Sequence, residues 1–396
     1  MTPRGRRRAR LAGLSLAAAA VAGVLLALEL ALRLLAPQTF PLEGLFRNDP
    51  VCGLRHVPGF HGTLEVDGAR SRVVIDGRGF RALQGAPAPV PAAHRVLVLG
   101  DSFAFGQGVS AEEALPGRMQ RALGPQVDVV NAGHCGYGPD NEALLLGQEG
   151  PALRPGLVLL VFYAGNDLWN VLAGPDRAWV LDGVLVSRPG LWEQWDRPLE
   201  PGRIVPRYLA SAPAPPASRW RRLLLRSHAW RFLSRRGAAL RGKAASSAFP
   251  APRPLTPLDD EAVFIRRDPP EFTEGWARVH GLLRQMDAWS RAHGARFAVA
   301  VVPAAVQVDP ARWEAARRAH SLREEDFDLE KPQRLLAAQG AADGFAVVDL
   351  LPALRDAAAP GGDPLYFARD PHWTARGHEV AAGALLAALR ARGLLP

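Results

Sequence analysis

Residues 95–103 read RVLVLGDSF, and this stretch decides the fold. A short aliphatic run ends abruptly in Gly100, Asp101 and Ser102. An apolar run of this length, bounded by glycine, is typical of a strand buried on both faces of a parallel sheet. The polar residues after it then lie at the carboxyl end of the strand, where a helix begins.

Four further aliphatic runs have the same character, and helix-like amphipathic stretches separate them. The five runs are 95–99, 127–131, 157–162, 296–302 and 345–350. Strands that alternate with helices indicate a parallel sheet covered by helices. The sequence therefore predicts an α/β domain over 95–396 with a five-stranded parallel sheet. Helices are predicted at 271–293, at 325–339 and after Thr374, which is a predicted N-cap.

Residues 170–270 interrupt this alternation and are predicted to be an insertion on the face where loops gather. They are rich in Pro, Trp and Arg, and 201–258 contain eleven arginines and Lys243 but no acidic residue. Within the insertion, 220–240 predicts a basic helix. Three interpretations of this segment remain open: a lid, an interfacial helix beside a membrane, or a poorly ordered excursion.

The amino terminus has the pattern of a membrane anchor. Residues 1–10 hold five arginines, and 11–28 hold no charged residue. As a helix, 18 residues span roughly 27 Å, close to the hydrocarbon thickness of a bilayer. We expect a basic cytoplasmic segment at 1–10, an uncleaved transmembrane signal anchor at 11–36 and an irregular lead-in at 37–94. A cleaved signal peptide is the alternative for the amino terminus. The domain that follows is expected on the extracytoplasmic, periplasmic side.

The distribution of charge argues against a nucleic-acid partner. The net charge is +9, from 48 basic and 39 acidic residues, but 1–10 and 201–258 carry much of the basic excess. The rest of the chain has more acidic than basic residues, which disfavours a DNA-binding core. With only Cys52 and Cys135, the chain has neither a disulfide framework nor a CxxC zinc site, and whether these two thiols pair remains open.

Polar residues also follow the second and third predicted strands. Asn131-Ala132-Gly133 ends the second, and Gly165-Asn166-Asp167 follows the third. Because the carboxyl ends of parallel strands meet at one sheet edge, we expect Ser102, Gly133 and Asn166 to lie close together. A backbone N–H and a side-chain amide are the donors that stabilise the oxyanion of acyl transfer. Each residue alone is more typical of a turn or a helix cap.

A general base is predicted at Asp370-Pro371-His372-Trp373, directly before the final helix. A histidine held by a carboxylate can accept the serine proton and later activate water. His378 is expected on the helix surface or in a supporting contact. No HExxH motif, Walker A loop or GxGxxG motif follows a strand, so no cofactor and no metal are predicted.

These four blocks together resemble the SGNH, or GDSL, hydrolase family over about residues 95–396. The resemblance implies a three-layer α/β/α sandwich. It implies Ser102 as nucleophile, His372 as general base and acid, and Asp370 as its orienting partner. It also implies an oxyanion hole made of the N–H of Ser102, the N–H of Gly133 and the side chain of Asn166.

Two details refine this resemblance. The sequence IDGRGFR at 75–81 and the D-x-H-W motif at 370–373 are similar to a membrane-anchored bacterial branch. Typical members place the aspartate three residues before the histidine, whereas Asp370 lies two before His372. The shorter spacing resembles alginate-type O-acetyltransferases, and Asp363 is the alternative orienting carboxylate.

The sequence therefore predicts an extracytoplasmic serine esterase that hydrolyses an ester through an acyl-enzyme. The expected substrate is an O-acetyl or other acyl group on an envelope glycan or lipid, and the expected second partner is the membrane. An O-acyltransferase acting on a polysaccharide and a catalytically inactive anchored binding protein are the alternatives. The acyl group, the acceptor and the oligomeric state remain open.

Overall fold

The computed structural model describes residues 3–36, 42–83, 94–187, 219–234, 236, 255–256, 259–358 and 361–396. They group into two compact units. The smaller contains described residues up to Glu43 together with those of the segment 215–250, and the larger contains the rest.

The elements follow in chain order. The strands are β1 (Phe46–Asp49), β2 (Gly53–His56), β3 (His61–Val66), β4 (Ala69–Val74), β5 (Arg95–Gly100), β6 (Asp128–Asn131), β7 (Leu157–Tyr163), β8 (Ala178–Leu181), β9 (Val184–Ser187), β10 (Arg296–Val302) and β11 (Ala346–Asp349). The helices are α1 (Pro3–Leu35), α2 (Ser102–Phe105), α3 (Leu115–Leu123), α4 (Pro139–Leu153), α5 (Asp167–Ala173), α6 (Arg219–Arg226), α7 (Pro270–Ala292), α8 (Ala305–Val308), α9 (Pro310–His320), α10 (Lys331–Asp343), α11 (Leu351–Ala357) and α12 (Ala375–Ala391). Short 3-10 helices lie at Asp260–Phe264 and Glu324–Asp326.

A parallel sheet with the strand order β11-β10-β7-β5-β6 forms the centre of the larger unit. The central strand β7 reads LVLLVFY, and all of its residues are buried. A strand covered on both faces needs apolar side chains at every position, which explains the absence of alternation. The predicted α/β class with a five-stranded parallel sheet is therefore confirmed.

The helices of the larger unit pack in two groups. Helices α4, α5 and α7 contact one another, and α12 contacts both α3 and α11. Right-handed crossovers between parallel strands assign α3 to one face of the sheet and α4 and α7 to the other. Helix α12, which follows the last strand, contacts α3 and therefore lies on the same face as α3. The result is the three-layer arrangement that the family resemblance implies.

The lead-in is more regular than expected. It contains two antiparallel hairpins, β1 with β2 and β3 with β4. Arg81 then forms bridges with Ile75 and with Asn131 at the end of β6. The lead-in therefore reaches the edge of the sheet where the polar residues gather.

The insertion also differs in part from its predicted form. Its described residues include a hairpin, β8 with β9, which the sequence pattern missed. The predicted basic helix at 220–240 is interrupted at Ser227, with α6 before it and a helical segment, 228–234, after it. Residues 188–218 and 237–254 of the predicted insertion lie outside the described residues.

Helix α1 contains the predicted apolar segment. Residues Ala12–Leu35 have a mean hydropathy of 2.2, and none of the most apolar stretch is buried within the protein. By length and composition this helix is a candidate membrane span.

Candidate active site

The turn between β5 and α2 holds Ser102. Asp101 caps α2, because its Oδ1 accepts a hydrogen bond of 2.8 Å from the backbone N–H of Phe103. Gly100 has φ +150°, and a Cβ there would lie only 2.8 Å from the carbonyl oxygen of Val161. A larger residue would therefore push β5 away from β7. Ser102 is thus held at the first position of α2, on the edge where the parallel strands end.

The loop before α12 brings a histidine to this serine. An isolated bridge pairs Tyr366 with Trp373, and the N–H of Phe367 donates to the carbonyl of His372 over 3.0 Å. In this loop Nε2 of His372 lies 2.6 Å from Oγ of Ser102. The predicted serine and histidine are therefore within hydrogen-bond distance of each other.

Asp370 lies on the other side of the imidazole. Its Oδ1 is 2.5 Å from Nδ1 of His372 and also accepts the backbone N–H of His372 over 2.9 Å. Burial raises the pKa of Asp370, but the hydrogen bonds from His372 outweigh burial and hold that pKa below its usual range. Asp363, the alternative carboxylate, is exposed. The oxygen next to the ring is thus that of Asp370.

Gly133 packs directly against the serine helix. A Cβ at this position would lie 2.3 Å from the backbone nitrogen of Phe105 and 2.6 Å from the carbonyl carbon of Ala104. Its N–H donates to Oδ1 of Asn131 over 3.0 Å. A substrate oxygen at Gly133 would therefore have to compete with the Asn131 side chain.

Asn166 precedes α5, and its side chain has a defined orientation. Its Oδ1 accepts a hydrogen bond of 3.1 Å from Nδ2 of Asn170. Because the oxygen is engaged by α5, the amide nitrogen of Asn166 is on the opposite side and points away from Asn170. Nδ2 of Asn170 also donates to the carbonyl of Tyr137 over 3.1 Å. The amide nitrogen, which is the only donor of the Asn166 side chain, thus faces away from Asn170.

The ring of Phe103 packs beside the imidazole and is itself held by two further aromatic rings. The ring centroid of Phe103 lies 5.0 Å from that of His372, 4.3 Å from that of Tyr163 and 5.1 Å from that of Trp373. Trp373 is fully buried. The Phe103 ring thus keeps water away from one side of the imidazole, which strengthens the electrostatic interactions of His372.

His378 makes a supporting contact and does not lie on the surface. It is buried, and its Nδ1 accepts the N–H of Leu115 over 3.2 Å. Burial lowers the pKa of His378 to about 3, so its ring is neutral. Its ring also meets the edge of Trp373 at 5.3 Å. His378 therefore joins α3 to the loop that carries His372.

Sequence reasoning missed Arg81, the last residue of the 75–81 motif. Its guanidinium is buried and donates to the carbonyl oxygens of Phe105, Gly106 and Val109 at 2.5 to 2.6 Å. It also lies 4.6 Å from the centre of the Phe105 ring. Burial lowers the pKa of Arg81 to about 10, so the group remains cationic at neutral pH. A single side chain thus holds the turn that ends the serine helix.

Three buried carboxyl groups also lie on the elements around Ser102. Burial raises the pKa of Asp101 to about 6, and it raises those of Glu142 and Asp167 well above their usual values. The negative charges of neighbouring carboxylates raise the latter two further. These three carboxyl groups therefore bind protons more readily than exposed carboxyl groups do.

The described residues include one group that could hold a metal ion. Ligand atoms of Asp259, Glu261 and His320 lie within 4.8 Å of one another. Asp259 already accepts the N–H of Thr256 over 2.8 Å and its hydroxyl over 2.9 Å. This carboxylate therefore has a structural role in its own loop. Cys52 and Cys135 are both buried and are not bonded to each other.

Comparison with known proteins supports the resemblance. Residues 261–396 match the family described as the SGNH hydrolase-like domain of the acetyltransferase AlgX. This match includes Asp370 and His372, and it confirms the predicted resemblance to SGNH hydrolases. No curated protein matches the chain.

Solved structures with similar folds are distant. TesA is 14% identical, with 75% of this chain and 98% of TesA covered and a TM-score of 0.37. LAE5, an alpha/beta hydrolase enzyme from the metagenome of Lake Arreo, is 15% identical, with 80% and 98% covered and a TM-score of 0.39. A mutant of Axe2, an acetylxylan esterase from Geobacillus stearothermophilus, is 13% identical, with 75% and 94% covered and a TM-score of 0.38.

Replacing Arg81 is expected to impair the site without removing any group that reacts. Lysine cannot donate to three carbonyls at once, so Arg81→Lys should let the turn after α2 shift. A shift of about 1 Å lowers turnover by up to about 10²-fold. We expect kcat for a short-chain aryl ester to fall and KM to change little. Arg70→Lys, at an exposed ion pair in β4, is the control. Equal kcat values in the two variants would contradict the role of Arg81.

Asp101 is expected to make stability depend on pH. Its pKa is about 6 in the folded chain and about 4 when unfolded, so the folded state binds the extra proton between these values. The free energy of unfolding therefore falls as the pH rises through this window. Asp101→Asn keeps an acceptor for Phe103 and should flatten the fall, measured by denaturant unfolding at several pH values. Exposed Asp363→Asn should retain the wild-type slope, and an unchanged slope in Asp101→Asn would count against this assignment.

Proposed function

We propose that the chain is a serine esterase that uses Ser102 as nucleophile, His372 as general base and acid, and Asp370 as the orienting carboxylate. One observation carries the proposal. Hydrogen-bond distances of 2.6 and 2.5 Å join Oγ of Ser102 to the imidazole and the imidazole to Asp370. This order of groups is the one that activates a serine hydroxyl.

The reaction has two halves. As Oγ of Ser102 attacks the ester carbonyl, Nε2 of His372 takes the hydroxyl proton and Asp370 stabilises the imidazolium. The imidazolium then gives its proton to the leaving alcohol, and Ser102 carries the acyl group. Water, deprotonated by His372, attacks the acyl-enzyme, and the acid is released with Ser102 restored.

The proposed oxyanion hole consists of the N–H groups of Ser102 and Gly133 and the amide nitrogen of Asn166. The N–H of Ser102 is at the start of α2, where helical N–H groups have no partner within the helix. The N–H of Gly133 would exchange its contact with Asn131 for the substrate oxygen. Loss of one such donor typically raises the barrier by about 3 to 4 kcal/mol.

The proposed substrate is an O-acetyl or other acyl ester on an envelope glycan or lipid. A cavity of about 440 Å³ borders Asp370 and Pro371, and its mostly apolar lining also includes the polar side chains of Glu261, Arg312 and His320. Carboxylate, guanidinium and imidazole groups suit a partner rich in hydroxyl groups. No cofactor is needed for this chemistry.

The proposed location is the cell membrane, with the catalytic domain on the extracytoplasmic side. The exposed apolar helix Ala12–Leu35 supports a membrane partner. The arginines of 1–10 support a cytoplasmic amino terminus, because basic residues are retained on that side.

An O-acyltransferase is the second candidate. The matched family is described as that of an acetyltransferase, and this description favours it. In this reaction a sugar hydroxyl, deprotonated by His372, replaces water in the second half. The acyl-enzyme on Ser102 is common to both candidates.

The triad is tested by labelling and kinetics. A fluorophosphonate should label the wild-type chain at Ser102 in a one-to-one ratio, and Ser102→Ala should neither be labelled nor hydrolyse a short-chain aryl ester. Asp370→Asn should lower kcat by up to about 10⁴-fold, because the imidazole loses its orienting charge. Asp363→Asn is the matched control and should retain activity. A wild-type chain that takes no label would favour the inactive binding protein.

The two enzymatic candidates are separated by their products. The wild-type chain is incubated with an acyl donor and an oligosaccharide, and free acid and acylated sugar are both quantified by mass spectrometry. We expect free acid to exceed acylated sugar, because the esterase passes the acyl group to water. Ser102→Ala supplies the background for both products. Acylated sugar in excess of free acid would overturn the esterase in favour of the transferase.

A further inference from the structure

The basic part of the insertion packs against α1 within the smaller unit. Glu29, near the end of the apolar span, accepts four hydrogen bonds at 2.6 to 3.0 Å. They come from Nε of Arg33, the hydroxyl of Ser227 and the backbone N–H groups of His228 and Ala229. A carboxylate near the hydrocarbon layer is costly unless it is paired. The four donors around Glu29 supply this pairing from within the protein.

The same contact explains why the basic helix breaks at Ser227. The Glu29 carboxylate lies at the amino end of the helical segment 228–234, where its charge suits the helix dipole. Arg33 donates through Nη2 to the carbonyl of Arg226 over 3.1 Å, at the carboxyl end of α6. The ion pair of Glu29 and Arg33 on α1 thus bonds to the amino end of the segment 228–234 and to the carboxyl end of α6.

We call α6 and the helical segment 228–234 the arginine helix pair. A bidentate ion pair also holds it, with Nη1 and Nη2 of Arg231 lying 2.9 and 2.8 Å from the carboxylate of Glu43. Arg231 is buried, and its Nε donates to the carbonyl of Leu225 over 2.7 Å. The arginine helix pair is therefore tied to the residues that surround the end of α1.

The exposed surface of the arginine helix pair carries both large apolar side chains and arginines. Its large exposed apolar residues are Trp220, Leu223, Leu224, Trp230 and Leu233, and Trp220 is 76% exposed. Residues 219–236 contain seven arginines and no acidic residue, and the side chains of Arg222 and Arg226 are exposed. Tryptophan and leucine beside arginine are typical of helices that lie in the headgroup region of an anionic bilayer.

We propose that the arginine helix pair lies in the headgroup region of the leaflet from which α1 emerges, and that it binds anionic phospholipids there. The inference rests on the proposed membrane anchoring. The uncharged residues 11–28 end directly before Glu29, so this carboxylate is at the edge of the hydrocarbon layer when α1 spans it. Residues 227–229, which contact Glu29, are then at the same depth. The exposed tryptophans face lipid, and the arginines face phosphate.

The test uses the full chain in nanodiscs of phosphatidylcholine, with and without phosphatidylglycerol. Lipids brominated near the carbonyl group quench tryptophans in the interface. We expect Trp220→Phe/Trp230→Phe to lose most of this quenching, whereas Trp289→Phe, in α7 of the larger unit, retains it. Equal quenching in the two variants would overturn the proposal.

Hydrogen exchange in the same discs tests the preference for anionic lipid. Amides of 219–236 should be more protected with phosphatidylglycerol, and Arg222→Gln/Arg226→Gln should reduce this protection by at least about fivefold, since each arginine near an anionic surface contributes about that factor. Arg317→Gln/Arg323→Gln, in the larger unit, is the control pair. Equal protection in both kinds of disc would show that the arginine helix pair has no preference for anionic lipid, and would overturn the proposal.

Retention of the chain in the discs separates a failure of the membrane anchoring from a failure of lipid binding by the arginine helix pair. A chain that is not retained in the discs after alkaline washing overturns both the anchoring and the binding of lipid by the arginine helix pair. A chain that is retained but gives no shallow quenching overturns only the latter. Fluorophosphonate labelling of Ser102 reports the catalytic proposal separately in each sample.

Discussion

The contact between Ser102 and His372 is the constraint on which the catalytic proposal depends. The two residues are 270 positions apart in the chain, and their side chains meet at 2.6 Å. The parallel sheet brings the ends of its strands to one edge, and the Tyr366–Trp373 bridge shapes the loop that returns to this edge. Gly100 lets β5 turn into α2 at close range to β7. A change in any of these features would separate the hydroxyl of Ser102 from the imidazole of His372.

The turns at the two ends of α2 also explain why two charged side chains, Arg81 and Asp101, are buried beside Ser102. The turn after α2 leaves three carbonyl oxygens facing inward, and Arg81 satisfies all three. Asp101 is buried because it caps α2 from below, and burial raises its pKa to about 6. An unpaired buried carboxylate is costly, so a raised pKa is the expected response. The polar interior therefore supports the backbone that carries Ser102.

The sequence predicts the sheet well because strands buried on both faces are continuous apolar runs. The run at 296–302 coincides with β10, and the predicted helix at 271–293 nearly coincides with α7. The helix predicted at 325–339 instead begins at Lys331, because Glu324–Asp326 forms a 3-10 turn. Arg81 was missed because its partners are backbone carbonyls, which have no sequence signature. The break at Ser227 was missed because it depends on a carboxylate nearly 200 residues away.

The short spacing between Asp370 and His372 is compatible with an orienting role. With one residue between them, the carboxylate folds back and accepts both the backbone N–H and Nδ1 of His372 through the same oxygen. The contact with the backbone N–H of His372 holds the carboxylate of Asp370 in place, and the carboxylate in turn orients the ring. The three consecutive residues 370–372 therefore define the orientation of the imidazole. A longer spacing would need other parts of the loop to do this. The shorter spacing therefore still places a carboxylate against Nδ1 of His372, the proposed base.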